Sequence, residues 1–110
     1  MELTFLSREL RSICEDEQLA LRHYEMNVVE RLTRRLADLS AARTIDELVV
    51  GSPQVGTRDG QPSLTIQLID QWRLQCRPGH VPPYGGAGPV DWSHVHRLQV
   101  VAIEKAEDRD

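Results

Sequence analysis

The side chains best able to do chemistry in this sequence are cations held between acidic ends. Arg31, Arg34, Arg35, Arg58, Arg73, Arg77 and Arg97 lie in the interior of the chain, whereas acidic residues concentrate at Glu15-Asp16-Glu17 and from Glu104 to Asp110. A net charge of −4 argues against a surface that attracts nucleic acid everywhere, but this segregation leaves room for a local basic cleft. His94-Val95-His96 is the local histidine cluster. Two histidines two apart on a strand share a face, and with His80 from a loop they would supply three metal ligands. No cysteine pair or His-Glu helical motif stands beside them, so two partly exposed strand-edge histidines are the plainer reading, and neither a metal nor another cofactor is expected. Trp72 and Trp92 can stack on bases, but Trp72 falls on the apolar register of its strand and is expected in the core. Trp92, beside a loop, is more open to contact, with core packing still the plainer reading. Cys14 and Cys76 read as small buried hydrophobes rather than as a disulfide.

Those residues need elements to position them. Glu2 to Phe5 suits a short strand, and Ser7 can cap a helix from Arg8 to about Cys14. From Asp16 to about Leu39 the composition favours one helix, on which Val29, Leu32, Leu36 and Leu39 share a face that should pack on a sheet. The arginines of this helix read as a solvated outer face, supported by Glu30 and Arg34 at i,i+4; a partner-facing role is the alternative. Thr44-Ile45-Asp46-Glu47 has the pattern of a capping box opening a helical turn through Leu48. Gly51, Pro53, Gly56, Asp59 and Gly60 then mark an exposed segment of loops and turns that carries Arg58.

The period changes in the second half. Leu64, Ile66 and Leu68, then Trp72, Leu74 and Cys76 after Asp70-Gln71, alternate with polar residues and predict an antiparallel hairpin. The prolines and glycines between Arg77 and Pro89 predict an excursion loop. The apolar run Leu98, Val100, Val101, Ala102 and Ile103 predicts a strand covered on both faces. The polar stretch from Lys105 to Asp110 is too hydrophilic to pack.

With 110 residues the chain has length for one hydrophobic core, and 40% hydrophobic with 27% charged residues is an ordinary globular balance. The expected organisation is a single α+β domain over residues 1–104 with a polar tail at 105–110, its N-terminal helices packed on a small, mainly antiparallel sheet. No apolar run approaches the ~18 residues of a membrane span, and the N-terminus lacks the basic start and long apolar stretch of a signal peptide, so a cytoplasmic protein without a membrane partner is expected.

Several segments in order resemble one family. They are Leu3-Thr4-Phe5 with Leu10 and Cys14-Glu15-Asp16; Arg35-Leu36-Ala37-Asp38-Leu39 followed by Ala41-Ala42; Asp46-Glu47-Leu48; Gly56-Thr57-Arg58-Asp59-Gly60 leading into a strand; Trp72-Arg73-Leu74; and Val90-Asp91-Trp92-Ser93 with Val95. Over nearly its whole length the chain resembles the HigB-like toxins of the RelE/ParE superfamily, the "killer" proteins of type II toxin–antitoxin modules. The resemblance implies a RelE/ParE-like fold and a ribosome-dependent mRNA endonuclease (an mRNA interferase). Its implied partners are the ribosome, mRNA and a cognate helix-turn-helix antitoxin that neutralises it.

In that chemistry a ribose 2′-hydroxyl attacks the adjacent phosphate, so a site must remove a proton, stabilise added negative charge and protonate the leaving oxygen. Arg73, projecting from the hairpin, is the candidate catalytic cation for the second task, because a guanidinium can make two charge-assisted bonds to phosphate. An ion pair with an acidic neighbour is its equally plain alternative. Arg58 resembles the family's loop arginine and is the candidate for binding RNA backbone, against the reading of a solvated loop charge. The chain departs from the family at Val55, where a lysine commonly precedes the glycine matched by Gly56. It departs again after Glu104, where Lys105-Ala106-Glu107 replaces the usual tyrosine and histidine. Those departures and the acidic balance motivate one alternative, a toxin-like binding protein that no longer cleaves RNA; a gyrase-inhibiting toxin of the same superfamily is a second.

Overall fold

A computed structural model describes residues 1–48, 51–79 and 90–106 of the chain. Strand β1 (Glu2–Phe5) alternates exposed Glu2 and Thr4 with half-buried Leu3 and Phe5. Ser7 Oγ accepts from the Leu10 N–H at 3.1 Å and starts helix α1 (Arg8–Glu15), as its type and place predict.

The single helix expected from Asp16 to Leu39 is in fact two. Asp16 Oδ1 accepts from the N–H groups of Gln18 and Leu19 at 3.0 and 3.3 Å, opening the short helix α2 (Glu17–Ala20). The chain then tightens: Arg22 N–H donates to Leu19 O and His23 N–H to Ala20 O, i to i−3 bonds that end the α ladder. Glu25 is extended (ψ 156°), and helix α3 (Met26–Ala41) begins after it. Tyr24, in the break, packs edge-on against Trp72 with ring centroids 5.2 Å apart, a tertiary contact that outweighs the local preference for continuing the helix.

On α3, Val28, Leu32 and Leu39 pack on the sheet residues Leu64, Ile66, Leu74, Leu98 and Val100, and Leu36 is half-buried against them. Val29 turns instead towards Ile13 and Ala20. Arg35 departs from the solvated reading of the helix arginines: it is 8% exposed, and its Nη1 donates to Asp38 Oδ2 at 3.0 Å. Glu30 and Arg34 are not among the ion pairs of the described residues. The turn Ile45–Glu47 forms without the expected capping box. Thr44 makes no side-chain cap, and Glu47 Oε2 accepts instead from Arg43 N–H at 2.6 Å, one residue early for the reciprocal pattern.

The sheet has the order β1-β5-β4-β3-β2. Strand β2 (Gln54–Arg58) runs through the segment expected to be loop and pairs antiparallel with β3 (Gln61–Gln67). Asp59 and Gly60 join them at φ 52° and 76°, the paired left-handed conformation that a two-residue hairpin turn demands. Every residue of β2 is exposed, so the strand carries no alternation of apolar and polar side chains to reveal it. Gly51, just upstream, sits at φ +85°, where a Cβ would lie 2.8 Å from Ile66 and 3.0 Å from the stem of Arg35. Only glycine fits there.

Asp70 and Gln71 turn the expected hairpin between β3 and β4 (Trp72–Pro78), both with positive φ. Strand β4 takes Arg77 and Pro78 from the expected excursion loop; residues 80–89 of that loop lie outside the described residues, as do 107–110 of the polar stretch. Strand β5 (Arg97–Lys105) lies between β4, antiparallel, and β1, parallel. No residue of it from Leu98 to Glu104 is exposed, although its two faces are buried to different degrees. Leu98 and Val100 are fully buried towards the helices, while Val101 and Ala102 stay half-buried at a bulge opposite Gln75 and Cys76. The protein is thus α+β, with helices on one face of a five-stranded, mainly antiparallel sheet. No helix among the described residues is long and apolar enough to cross a membrane.

Leu74 is fully buried at the centre of this core, so Leu74→Ala should lower the unfolding free energy by about 2–5 kcal/mol in urea titration. Gln71 bears a side chain at φ 67°, and Gln71→Gly should raise the melting temperature by relieving about 1 kcal/mol of backbone strain.

Candidate functional site

Strand alternation sends Arg73, Gln75 and Arg77 of β4 to the sheet face opposite the helices, while Trp72, Leu74 and Cys76 face the core. Glu104 joins the first set, because it sits directly across from Arg73 in the β4–β5 ladder. Arg58, the last residue of β2 rather than a loop residue, comes from the far edge strand. Its guanidinium nevertheless reaches the same carboxylate.

Arg58 grips Glu104 with both ends of its fork, Nη1 to Oε1 at 2.6 Å and Nη2 to Oε2 at 3.1 Å. Arg73 Nε lies 3.9 Å from Glu104 Oε1, within ion-pair range but too far for a hydrogen bond, and that Nε is buried with no partner among the described residues. Gln75, only 6% exposed, completes the cluster. Its Oε1 accepts from Thr65 Oγ1 at 2.9 Å, which leaves its amide nitrogen as a donor on this face. The two arginines singled out from sequence therefore converge, and what they converge on is a carboxylate.

The electrostatics follow from that geometry. The Arg58 hydrogen bonds hold the Glu104 carboxyl below its ordinary 4.5; partial burial opposes them, and the charges of Arg58 and Arg73 and the Gln75 bond add to the lowering. Arg58 is pushed up by the same partner. Beside the cluster lies an open cleft of about 100 Å³, lined among others by Arg58, Ser63, Gln75, Arg77 and Val101. Arg77 Nε donates to Gln99 Oε1 at 2.6 Å, so this cation is oriented along the cleft wall by a neutral partner.

The remaining candidates lie elsewhere. His94 is in the turn Trp92–His94 rather than on a strand, and its Nδ1 sits 3.0 Å from Asp91 Oδ2. Asp91 also caps that turn, and its carboxyl is held below the ordinary range by the Ser93 hydrogen bonds. His80 falls outside the described residues, and no group of metal-ligating side chains is found among those described. Trp72 packs on Tyr24, and Trp92 is half-buried against the core. Both cysteines are free, and burial pushes each thiol up to about 12. Val55 and Lys105 pair with Leu64 and Trp72, which places both on the helix side of the sheet, away from Arg73 and Glu104. A lysine at position 55 would not have joined the arginine cluster.

Sequence reasoning missed Gln75 and the central place of Glu104. The signal for Gln75 was its two-residue offset from Arg73 on an alternating strand. For Glu104 there was none short of the β4–β5 register. No protein-family model matches the chain, and no solved structure matches it significantly.

A carboxyl held lower in the folded than in the unfolded state stabilises fully above its unfolded value and loses that contribution as pH falls through the folded one. As pH falls below the ordinary carboxyl value of 4.5, Glu104→Gln should therefore flatten the acid limb of the stability–pH curve, by no more than about 0.5–1 kcal/mol because the pair is partly solvent-screened. Denaturant titrations across that range read the effect.

Proposed function

We propose that this protein is a HigB-like toxin of RelE/ParE type, a ribosome-dependent mRNA endonuclease neutralised by a cognate helix-turn-helix antitoxin. The observation that carries the reading is the convergence of Arg58 and Arg73, from different strands, on one anionic group on the open face of the sheet. Two guanidiniums aimed at one point suit a phosphate that gains charge during attack by a neighbouring 2′-hydroxyl. In this reading Arg73 stabilises the transition-state phosphate, and Arg58 grips the RNA backbone. The adjoining cleft, with Ser63, Gln75 and Arg77 on its walls, gives room for polar contact to a flanking nucleotide.

A second reading, a toxin-like protein that binds without cleaving, is favoured by a specific feature. At the end of β5 the open face carries Glu104, whose pairing with Arg58 makes it a weak base, and the following Lys105 lies on the other side of the sheet. The gyrase-inhibiting branch is a third outcome that the same experiment separates.

The protein is expressed in a bacterial host, with and without the product of its neighbouring gene, while mRNA 5′ ends are mapped by sequencing. Ribosome-positioned cuts that the neighbour relieves are expected. Growth arrest without cuts would point to another target, and neither effect to a binding protein. Arg73→Ala should reduce cleavage by about 10²-fold or more with folding and antitoxin binding intact; undiminished cutting would remove Arg73 from the mechanism.

A further inference from the structure

The open-face cluster has one acceptor too few. Glu104 accepts from both terminal nitrogens of Arg58, yet its carboxylate lies 3.9 Å from the buried Arg73 Nε, beyond hydrogen-bond reach. A planar carboxylate presents two oxygens in one plane; a phosphate presents three or four in a tetrahedron and carries more charge. Arginine forks take either anion in the same bidentate geometry. The site therefore has the donors for a phosphate and is filled by a side chain that reaches only part of them.

We propose that Arg58, Arg73 and Gln75 form a phosphate-binding site, and that Glu104 occupies it as a built-in competitor which a phosphate group must displace. This deepens the reading of the open face as an RNA-binding surface by adding its control. In the empty protein, the carboxylate keeps the Arg58 guanidinium turned inward and neutralised. An incoming phosphate takes over the Arg58 fork, reaches Arg73 Nε as well, and releases Glu104 towards solvent, to which its side chain is already 31% exposed. Glu104 thereby sets a threshold: single phosphates bind weakly, whereas a polyanion with further contacts along the cleft has enough affinity to displace the carboxylate.

The test is calorimetric titration with inorganic phosphate at fixed ionic strength and neutral pH, on the wild type, Glu104→Gln, Glu104→Gln with Arg73→Ala, and Glu30→Gln. Glu30 is exposed on α3, so its substitution makes the same change in net charge away from the site. Glu104→Gln should bind phosphate about tenfold more tightly than wild type, Glu30→Gln should not, and the double variant should lose the gain. Equal tightening by Glu30→Gln, no tightening by Glu104→Gln, or a gain that survives loss of Arg73 would overturn the proposal. Should Glu104→Gln fail to fold by circular dichroism, the wild type still decides it. Phosphate at saturation should shift the side-chain ¹⁵N signals of both Arg58 and Arg73, and shifts confined to other residues would sink the idea. RNA cleavage is scored separately. Tightening without cleavage keeps the phosphate site and removes the nuclease reading, whereas cleavage without tightening removes the competitor and leaves the nuclease reading.

Discussion

Strand β5 holds this protein together. It is hydrogen-bonded on one side to β1, from the start of the chain, and on the other to β4, so that the N-terminal and C-terminal halves share one sheet only through it. Its fully buried Leu98 and Val100 meet the apolar stripe of α3, and the helical layer therefore rests on the same strand. Contacts so distant in sequence carry a large loop-closure cost, which the burial of this layer has to offset. On the other face the same strand ends in Glu104, at the centre of the polar cluster. Core and candidate site are thus two sides of one backbone, positioned by a single register.

The bulge opposite Gln75 and Cys76 matters for the same reason. By inserting Val101 as an extra residue, it keeps Val100 and Ile103 on the core side and Ala102 and Glu104 on the open side, although Val100 and Ile103 are an odd three positions apart. Without that insertion the alternation would carry Glu104 to the helix face, where a carboxylate would be expensive to bury. Thr65 holds Gln75, Arg58 holds Glu104, and Arg73 Nε is left short of an acceptor among the described residues. Arg35 Nε is likewise buried without an acceptor among the described residues.

The interior of the helical layer shows how tertiary packing redistributes charges. Arg35 runs its stem beneath Gly51 and ends against Asp38, so an arginine that local pattern places on a solvated face becomes part of the core boundary. Gly51 is confined to glycine by that packing as much as by its own positive φ. Close to it, Gln67 N–H donates to Gly51 O at 2.7 Å, which ties the entry to β2 onto the end of β3.

The elements legible from sequence were those governed by nearest neighbours. The Ser7 cap, the alternation of β3 and β4 about Asp70-Gln71, and the α3 stripe depend on local hydrogen bonds and on the fixed periods of helix and strand. From these alone the α+β class and the placing of Arg73 on a strand followed. Tertiary structure decided the rest. The break between α2 and α3 depends on Tyr24 meeting Trp72, the existence of β2 on an edge strand with no apolar face, and the partnership of Arg58 with Glu104 on residues 46 apart in sequence. Those features rest on which strands lie side by side, which is set by the packing of the whole sheet and carried by no single segment of the chain.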